Sequence, residues 1–189
     1  MKTKPILLLF AVAALVQLVV PAAMIAKRES ALRHGETFRF RTAPVDPYDA
    51  FRGRYVALSF NQRSVGLPPD HGYSRRQRVH AILSEDEDGY AFFSGIQRER
   101  PASGAYLSTR IAYLSSHTNA FLHIPFDRLY MKETEAPEAE RAYLRHNHPT
   151  NRTAFVNVRI QRGFGVIEDL YLDGVPIRDY LAQPPPTAP

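Results

Sequence analysis

The fold class follows most directly from the segment Val156–Leu172, which reads VNVRIQRGFGVIEDLYL. Apolar residues alternate with polar ones on both sides of its centre, at Val156, Val158 and Ile160 and again at Leu170 and Leu172. A period of two is typical of a β-strand that buries one face. Between the two halves, Arg162-Gly163-Phe164-Gly165 supplies the glycines that a tight turn requires. The segment therefore predicts a β-hairpin, and Asp173-Gly174 predicts a further turn at its end.

The same alternation recurs along most of the chain, and each repeat predicts one more strand. Buried faces are predicted for Phe38 and Phe40, for Val56, Leu58 and Phe60, and for Val79, Ala81 and Leu83. Further strands are predicted near Tyr90–Arg98, Tyr106–Leu114 and Ala120–Pro125. The acidic run Glu85–Gly89 predicts a hairpin tip. Many short strands with regular turns predict a mainly β domain, either an antiparallel sandwich or a partly open barrel.

One segment has helical rather than strand character. Pro137–His146 begins with proline, where the missing N–H is harmless, and carries acids early and bases late. It predicts one short helix within the β domain. The proline-rich residues 183–189 predict a disordered tail. On this basis, residues 29–182 form one β-rich domain.

The N-terminal residues 1–28 contain a long apolar run. The 21 residues Ile6–Ala26 include no charge, and as a helix they would rise about 31 Å, close to the thickness of a hydrocarbon core. We expect a single transmembrane anchor that contacts the lipid bilayer through this run. A cleaved signal peptide with Lys2 and Lys4 at its start is the alternative, but a small-x-small cleavage triplet before Lys27 is lacking.

Charge and composition limit the location and the partners. Since a short N-terminal tail usually stays inside, we expect a single-pass protein of the cytoplasmic membrane with its C-terminal domain on the extracytoplasmic side.

Four of the 24 Lys and Arg residues flank the apolar run, which leaves 20 against 19 Asp and Glu. A nearly neutral domain argues against a nucleic-acid partner. Arginine dominates these bases, which reflects either ion pairs across strands or a compositional bias toward arginine. Without cysteine, disulfides and thiol chemistry are excluded.

The segment Pro44–Phe60, PVDPYDAFRGRYVALSF, combines a stiff corner with a strand. Pro44 and Pro47 fix φ, and Gly53 permits a positive φ or a close backbone approach. Tyr55 is predicted to lie on the strand face opposite Val56, Leu58 and Phe60. The block is either a rigid corner that leads into a core strand or a docking surface made by Asp46, Asp49, Arg52 and Arg54.

Within this block, Gly53–Phe60 (GRYVALSF) resembles the signature of the GDYXXLXY family of small, membrane-anchored bacterial proteins. Arg54 stands where the family has Asp, and Phe60 stands where it has Tyr. The charge reversal at Arg54 favours a structural role for that position. The resemblance implies a non-catalytic accessory of an integral membrane protein, since family members are commonly encoded beside polytopic membrane proteins. The candidate docking and motif residues are Pro44, Asp46, Pro47, Asp49, Arg52, Gly53, Arg54, Tyr55, Leu58 and Phe60.

Other functions would each depend on specific residues. An envelope hydrolase would draw its catalytic groups from Asp46, Asp49, His117 and His123. A ligand-binding barrel would need an apolar cavity. His146 and His148 lack the spacing of a metal site and are expected to be exposed at a helix end. Glu168 and Asp169 are adjacent, so a regular strand would send them to opposite faces. We expect no catalytic site, no cofactor and no metal.

Overall fold

The computed structural model describes residues 3–43, 55–115, 118–148 and 151–183, in which one long helix precedes a domain built mainly of β-strands. The helices are α1 (Thr3–His34), α2 (Ala136–His146) and α3 (Ile177–Ala182). The strands are β1 (Glu36–Ala43), β2 (Tyr55–Ala57), β3 (Ser59–Phe60), β4 (Ser64–Gly66), β5 (Arg78–Glu85), β6 (Ala91–Gln97), β7 (Tyr106–Ser115), β8 (Asn119–Leu122), β9 (Arg128–Tyr130), β10 (Asn147–His148), β11 (Asn151–Arg152), β12 (Ala154–Gln161), β13 (Phe164–Leu172) and β14 (Val175–Pro176). All paired strands are antiparallel, which confirms the predicted fold class.

Two five-stranded sheets make up the body of the domain. The first sheet has the order β14-β13-β12-β1-β3, and the second sheet has the order β4-β8-β7-β5-β6. Isolated bridges join Arg39 to Tyr90 and Leu107 to Gly163, so the two sheets touch at two places. The arrangement is therefore a partly open, barrel-like one. The small ladders β2-β9 and β10-β11 lie beside it.

The two predicted turns of the first sheet are confirmed. Arg162 (φ 49°) and Gly163 (φ 81°) form the two-residue loop between β12 and β13, and Asp173 (φ 51°) and Gly174 (φ 80°) form the loop between β13 and β14. Two consecutive positive φ values match the twist of the flanking strands in a tight hairpin. In the second sheet the Glu85–Gly89 tip is confirmed as well, because the Asp86 carboxylate accepts the backbone N–H groups of Asp88 and Tyr90.

The core lies between the inner faces of the two sheets. Phe40 of β1 packs against Phe60, Phe93 and Phe126 at centroid distances of 5.5 to 6.0 Å. Val56, Leu58 and Phe60 are buried as predicted, while Tyr55 lies half-buried on the other face. Edge-to-face aromatic packing of this kind adds to the free energy of burial.

Helix α1 continues without a break from the apolar run to His34. Its segment Pro5–His34 is long and apolar enough to cross a membrane. The last turns pack on the β12-β13 hairpin, where Ala31 is fully buried and the Ser30 hydroxyl donates to Gln161 Oε1 at 3.0 Å. Gly35 allows this approach, because a Cβ there would overlap the Ala31 carbonyl oxygen and lie 3.1 Å from Arg159 Cβ.

Two local features differ from the sequence predictions. A second short helix, α3, follows β14, and its six residues are too few to produce a periodic signal. The register of β12 and β13 shifts between Asn157 and Val158, so that Glu168 is the extra residue of a β-bulge. Because of the bulge, Glu168 and Asp169 both lie on the outward side, and the expectation of opposite faces was wrong.

Candidate functional site

The structure describes three of the ten candidate motif residues. Leu58 and Phe60 belong to the core: Leu58 N–H donates to the Asp127 carbonyl at 2.9 Å, and Phe60 packs edge-on against Phe126 at 5.6 Å. Their role in the described domain is structural. Tyr55 alone of the three faces outward. Seven candidates lie outside the described residues, so their docking role stays a prediction: Pro44, Asp46, Pro47, Asp49, Arg52, Gly53 and Arg54.

Tyr55 belongs to an outward-facing group that we call the Tyr-Arg patch, made of Tyr55, Arg128 and Tyr130. Tyr55 pairs with Tyr130 across β2 and β9, with ring centroids 5.6 Å apart, and the Arg128 guanidinium lies 5.0 Å from the Tyr55 ring. A hydrogen bond with Tyr130, and then the field of Tyr55, raise the pKa of Arg128. Asp127 adds a weak ion pair at 3.6 Å. The patch is an exposed cation held in place by two aromatic rings.

The Tyr-Arg patch lies close to the end of the apolar helix. A cavity of about 310 Å³ is lined both by Arg28 of α1 and by Arg128 and Tyr130 of β9, together with Phe164 at the start of β13. Arg28 is the second residue after Ala26, where the apolar run ends. A membrane crossed by α1 would therefore have its surface beside this patch.

A larger cavity lies on the outer face of the second sheet. It measures about 800 Å³, and we call it the arginine cleft. Its polar lining residues are Arg76, Arg78, His80, Ser108, Thr109, Arg110 and His123. Alternation places Arg78 and His80 on one face of β5, and the register sets Arg78 directly opposite Arg110 and His80 directly opposite Ser108. His80 Nδ1 lies 3.1 Å from Ser108 Oγ. Among the described residues of the lining there is no Asp or Glu, so this face gathers positive charge.

His123, one of the residues of the hydrolase hypothesis, lies at the rim of the arginine cleft. Its backbone N–H donates to the Arg110 carbonyl at 2.9 Å, and its side chain is exposed. Asp46, Asp49 and His117 lie outside the described residues, so the catalytic grouping stays untested. Carboxylate partners for His123 are missing from the described lining of the cleft.

His146 differs from its sequence-based expectation, because it is buried rather than exposed. Its Nδ1 lies 3.1 Å from both Thr153 Oγ1 and Asp173 Oδ2, and its Nε2 lies 2.9 Å from the Tyr180 hydroxyl. The ring therefore ties the end of α2 to α3 and to the β13-β14 turn, which explains its burial. His148 is exposed as expected. Among the described residues there is no group of three or more side chains suited to a metal ion.

The sequence contains a partial signal for the arginine cleft. Arg78 and His80 alternate with Val79 and Ala81, so two basic side chains fall on the polar face of one predicted strand, and Arg76 comes just before it. The register with Arg110 was not readable from sequence, since it depends on which strand pairs with β5. The Tyr-Arg patch was missed for the same reason, because β2 and β9 are far apart in the chain.

A family model described as GDYXXLXY protein matches residues 17–170, which is most of the chain. Comparison with curated proteins gave no match, and comparison with solved structures gave none either.

Proposed function

We propose that this chain, which belongs to the GDYXXLXY protein family, is a membrane-anchored accessory protein that acts by contact with an integral membrane protein. In this proposal α1 is an uncleaved single-pass anchor in the cytoplasmic membrane. The β domain lies on the extracytoplasmic side and is non-catalytic. Its docking surface is the Tyr-Arg patch.

One observation supports the proposal: the outward-facing motif tyrosine lies at the end of the domain that adjoins the end of the apolar helix. Tyr55 contacts Arg128 and Tyr130, and these two residues share a cavity with Arg28, just past the apolar run. An integral membrane protein in the same bilayer presents its short loops at this height. A patch at the far end of the domain would meet only partners with large extramembrane domains.

The composition of the patch fits a protein contact. Tyrosine and arginine are enriched among the residues that dominate binding energies at interfaces. Tyr130 is 58% exposed, while Arg128 is already positioned by Tyr55 and Tyr130. A pre-positioned side chain loses less conformational entropy on binding. The membrane adds to this, since it confines both proteins to two dimensions and raises their effective concentration.

The end of α1 is tied to the β domain. Ser30 and Ala31 contact the β12-β13 hairpin, and the Arg159 guanidinium donates to the Gly35 carbonyl at 3.2 Å. The domain thus uses the last turns of α1 as part of its own packing, so that the anchor and the domain form one continuous body. A fixed orientation of this kind is what a docking surface near the bilayer requires.

Site-specific photo-crosslinking in native membranes tests the proposal. A crosslinking amino acid at Tyr130 should capture an integral membrane protein, and the same residue at Tyr113 is the matched control, because Tyr113 is also an exposed strand tyrosine. Arg128→Gln should reduce the capture from position 130 by about tenfold, as expected for a central interface residue. Capture of the same protein from both positions, or only of soluble proteins, would contradict the proposal.

A further inference from the structure

We propose that the arginine cleft binds the phosphate headgroup of an anionic lipid in the membrane that α1 crosses. The site is separate from the Tyr-Arg patch, so this inference is independent of any protein partner. It assigns a ligand class to the outer face of β5 and β7, which the core of the domain does not use.

The unfavourable pair is Arg78 and Arg110. They are direct neighbours across the β5-β7 ladder, both are exposed, and no described acidic side chain pairs with either. Like charges directly opposite each other in an antiparallel pair are destabilising. Arg76, close by on the chain, adds a third positive charge to the same cavity. An anion between these groups would turn the repulsion into attraction.

The donors around the pair suit a phosphate group. Each guanidinium offers two parallel N–H groups in a plane, which match two phosphate oxygens. His80, Ser108 and His123 line the same cavity and supply further ring N–H and hydroxyl donors. The part of the lining that the structure describes contains no carboxylate that would repel an anion. The backbone around the site is held firmly, because Ser108 N–H donates to Gly163 and Ile111 N–H donates to Gln77.

The position of the cleft favours a lipid as the source of the phosphate. The backbone N–H of Ser108 donates to the Gly163 carbonyl at 2.8 Å. The residue after Gly163 is Phe164, whose ring centroid lies 4.3 Å from Lys27 Nζ on α1. Lys27 directly follows the apolar run, so one end of the cleft lies near the headgroup layer, which extends about 5 to 8 Å beyond the hydrocarbon core. Pro125 lines both the cleft and the cavity that contains Arg28, so the two cavities adjoin.

Because the net charge of the domain is nearly neutral, we expect the arginine cleft, and not the domain surface as a whole, to attract the anionic lipid. Basic residues next to a membrane surface attract anionic lipids broadly. The cleft adds geometry to that attraction, since its cations are fixed on two neighbouring strands. A specific headgroup contact should therefore depend on Arg78 and Arg110 and not on other exposed arginines of the domain.

The test uses the full chain reconstituted in lipid nanodiscs, with the thermal unfolding midpoint of the β domain as the readout. One set of nanodiscs contains phosphatidylcholine alone, and in the other part of that lipid is replaced by phosphatidic acid. We expect the anionic lipid to raise the midpoint by about 5 °C at saturation. The variant with Arg78→Gln and Arg110→Gln should lose most of this rise. Arg100→Gln, an exposed arginine outside the cleft, should keep it.

Two further arms make the test decisive. Inorganic phosphate at millimolar concentration, added to phosphatidylcholine nanodiscs, should raise the midpoint much less than phosphatidic acid does; an equal rise would overturn the lipid assignment. Arg110→Lys keeps the charge but loses the planar pair of donors, and it should give an intermediate rise. If the double variant keeps the full rise while its circular dichroism matches that of the parent chain, the cleft is not the lipid site.

Discussion

The outward arginines of the two sheets have different neighbours. In the first sheet, Arg159 of β12 donates to Glu168 at 2.8 Å, Arg41 of β1 pairs with Asp88, and Arg39 lies 6.0 Å from the Phe155 ring. In the second sheet, Arg78 and Arg110 face each other with no described acid beside them. The first arrangement is that of arginines used for structure, and the second is that of arginines available to a ligand.

This contrast separates two explanations for the high arginine content. If composition alone placed arginine on these strands, pairing with acids would be similar on both sheets. Instead, Arg41 and Arg159 of the first sheet each have an acidic partner, whereas the second sheet concentrates its arginines in a cavity. The second arrangement sacrifices some stability at β5 and β7, and such local destabilisation is typical of functional sites.

The largest effect on stability is expected where the two sheets touch, at the bridge between Leu107 and Gly163. Gly163→Ala should lower the free energy of unfolding by about 2 to 5 kcal/mol, because φ is positive there and the new Cβ would also overlap its neighbours. That Cβ would overlap the Ser108 hydroxyl and lie 2.5 Å from the Tyr106 ring, at the edge of the arginine cleft. Urea unfolding of the reconstituted chain measures the loss.

Gly174→Ala is the matched control for this substitution. Gly174 has nearly the same φ, 80° against 81°, but nothing lies within 4 Å of its added Cβ. It should lose only the strain of the left-handed backbone, about 1 to 2 kcal/mol. Equal losses in the two variants would mean that close packing at the hairpin tip does not join the sheets.

High pH tests the buried polar contacts at the end of the first sheet. Tyr143 of α2 donates to the Ala43 carbonyl at 3.1 Å and accepts from Asn147 at 2.9 Å, and burial raises its pKa to about 12. The unfolded tyrosine, with a pKa of about 10, releases its proton first. The unfolded state then binds fewer protons, so the free energy of unfolding should fall by about 3 kcal/mol at most as the pH rises from about 10 to 12.

Tyr143→Phe isolates the hydroxyl group. At neutral pH it should lower the free energy of unfolding by about 1 to 3 kcal/mol, because Asn147 and the Ala43 carbonyl lose a buried partner. Between about pH 10 and 12 the variant should lack the part of the pH dependence that comes from this residue. A variant whose stability falls with pH as steeply as that of the parent chain would assign the titration to other groups.

The fold was largely readable from the sequence because alternation and turn chemistry are local signals. The hairpin loops at Arg162-Gly163 and Asp173-Gly174 need positive φ, and the residues that permit it stand between alternating runs. The bulge at Glu168 was not readable, since one extra residue in a strand leaves no mark on composition. Helix α3 was missed because it is short, and the burial of His146 because its partners come from Thr153, Asp173 and Tyr180.

Only part of the candidate site could be predicted from the sequence. Its cavities form where strands that are not neighbours in the chain pair with each other. Tyr55 was placed correctly on the outward face by alternation alone. Its partners Arg128 and Tyr130 come from β9, which is separated from β2 by six intervening strands. Likewise Arg78 and Arg110 meet only because β5 pairs with β7 as well as with its hairpin neighbour β6.

A double-mutant cycle on the first sheet tests its local pairing. Arg159→Gln, Glu168→Gln and the double variant should give a favourable coupling of about 0.5 to 1 kcal/mol, the upper part of the range for exposed pairs. Both side chains are only about one third exposed, and the bulge holds Glu168 toward Arg159. The coupling should weaken as salt is raised. A coupling of zero would mean that this ion pair does not stabilise the domain.

The same cycle on the second sheet should give the opposite sign. Arg78→Gln, Arg110→Gln and the double variant, measured without anionic lipid, should reveal a repulsion of a few tenths of a kcal/mol, since like charges stand directly opposite. Each single variant should then be at least as stable as the parent chain, and salt should reduce the difference by screening the repulsion. If Arg78 and Arg110 only supported the fold, replacing either of them would lower the stability of the domain. A favourable coupling between Arg78 and Arg110 would mean that the two sheets use arginine in the same way, and the contrast between them would disappear.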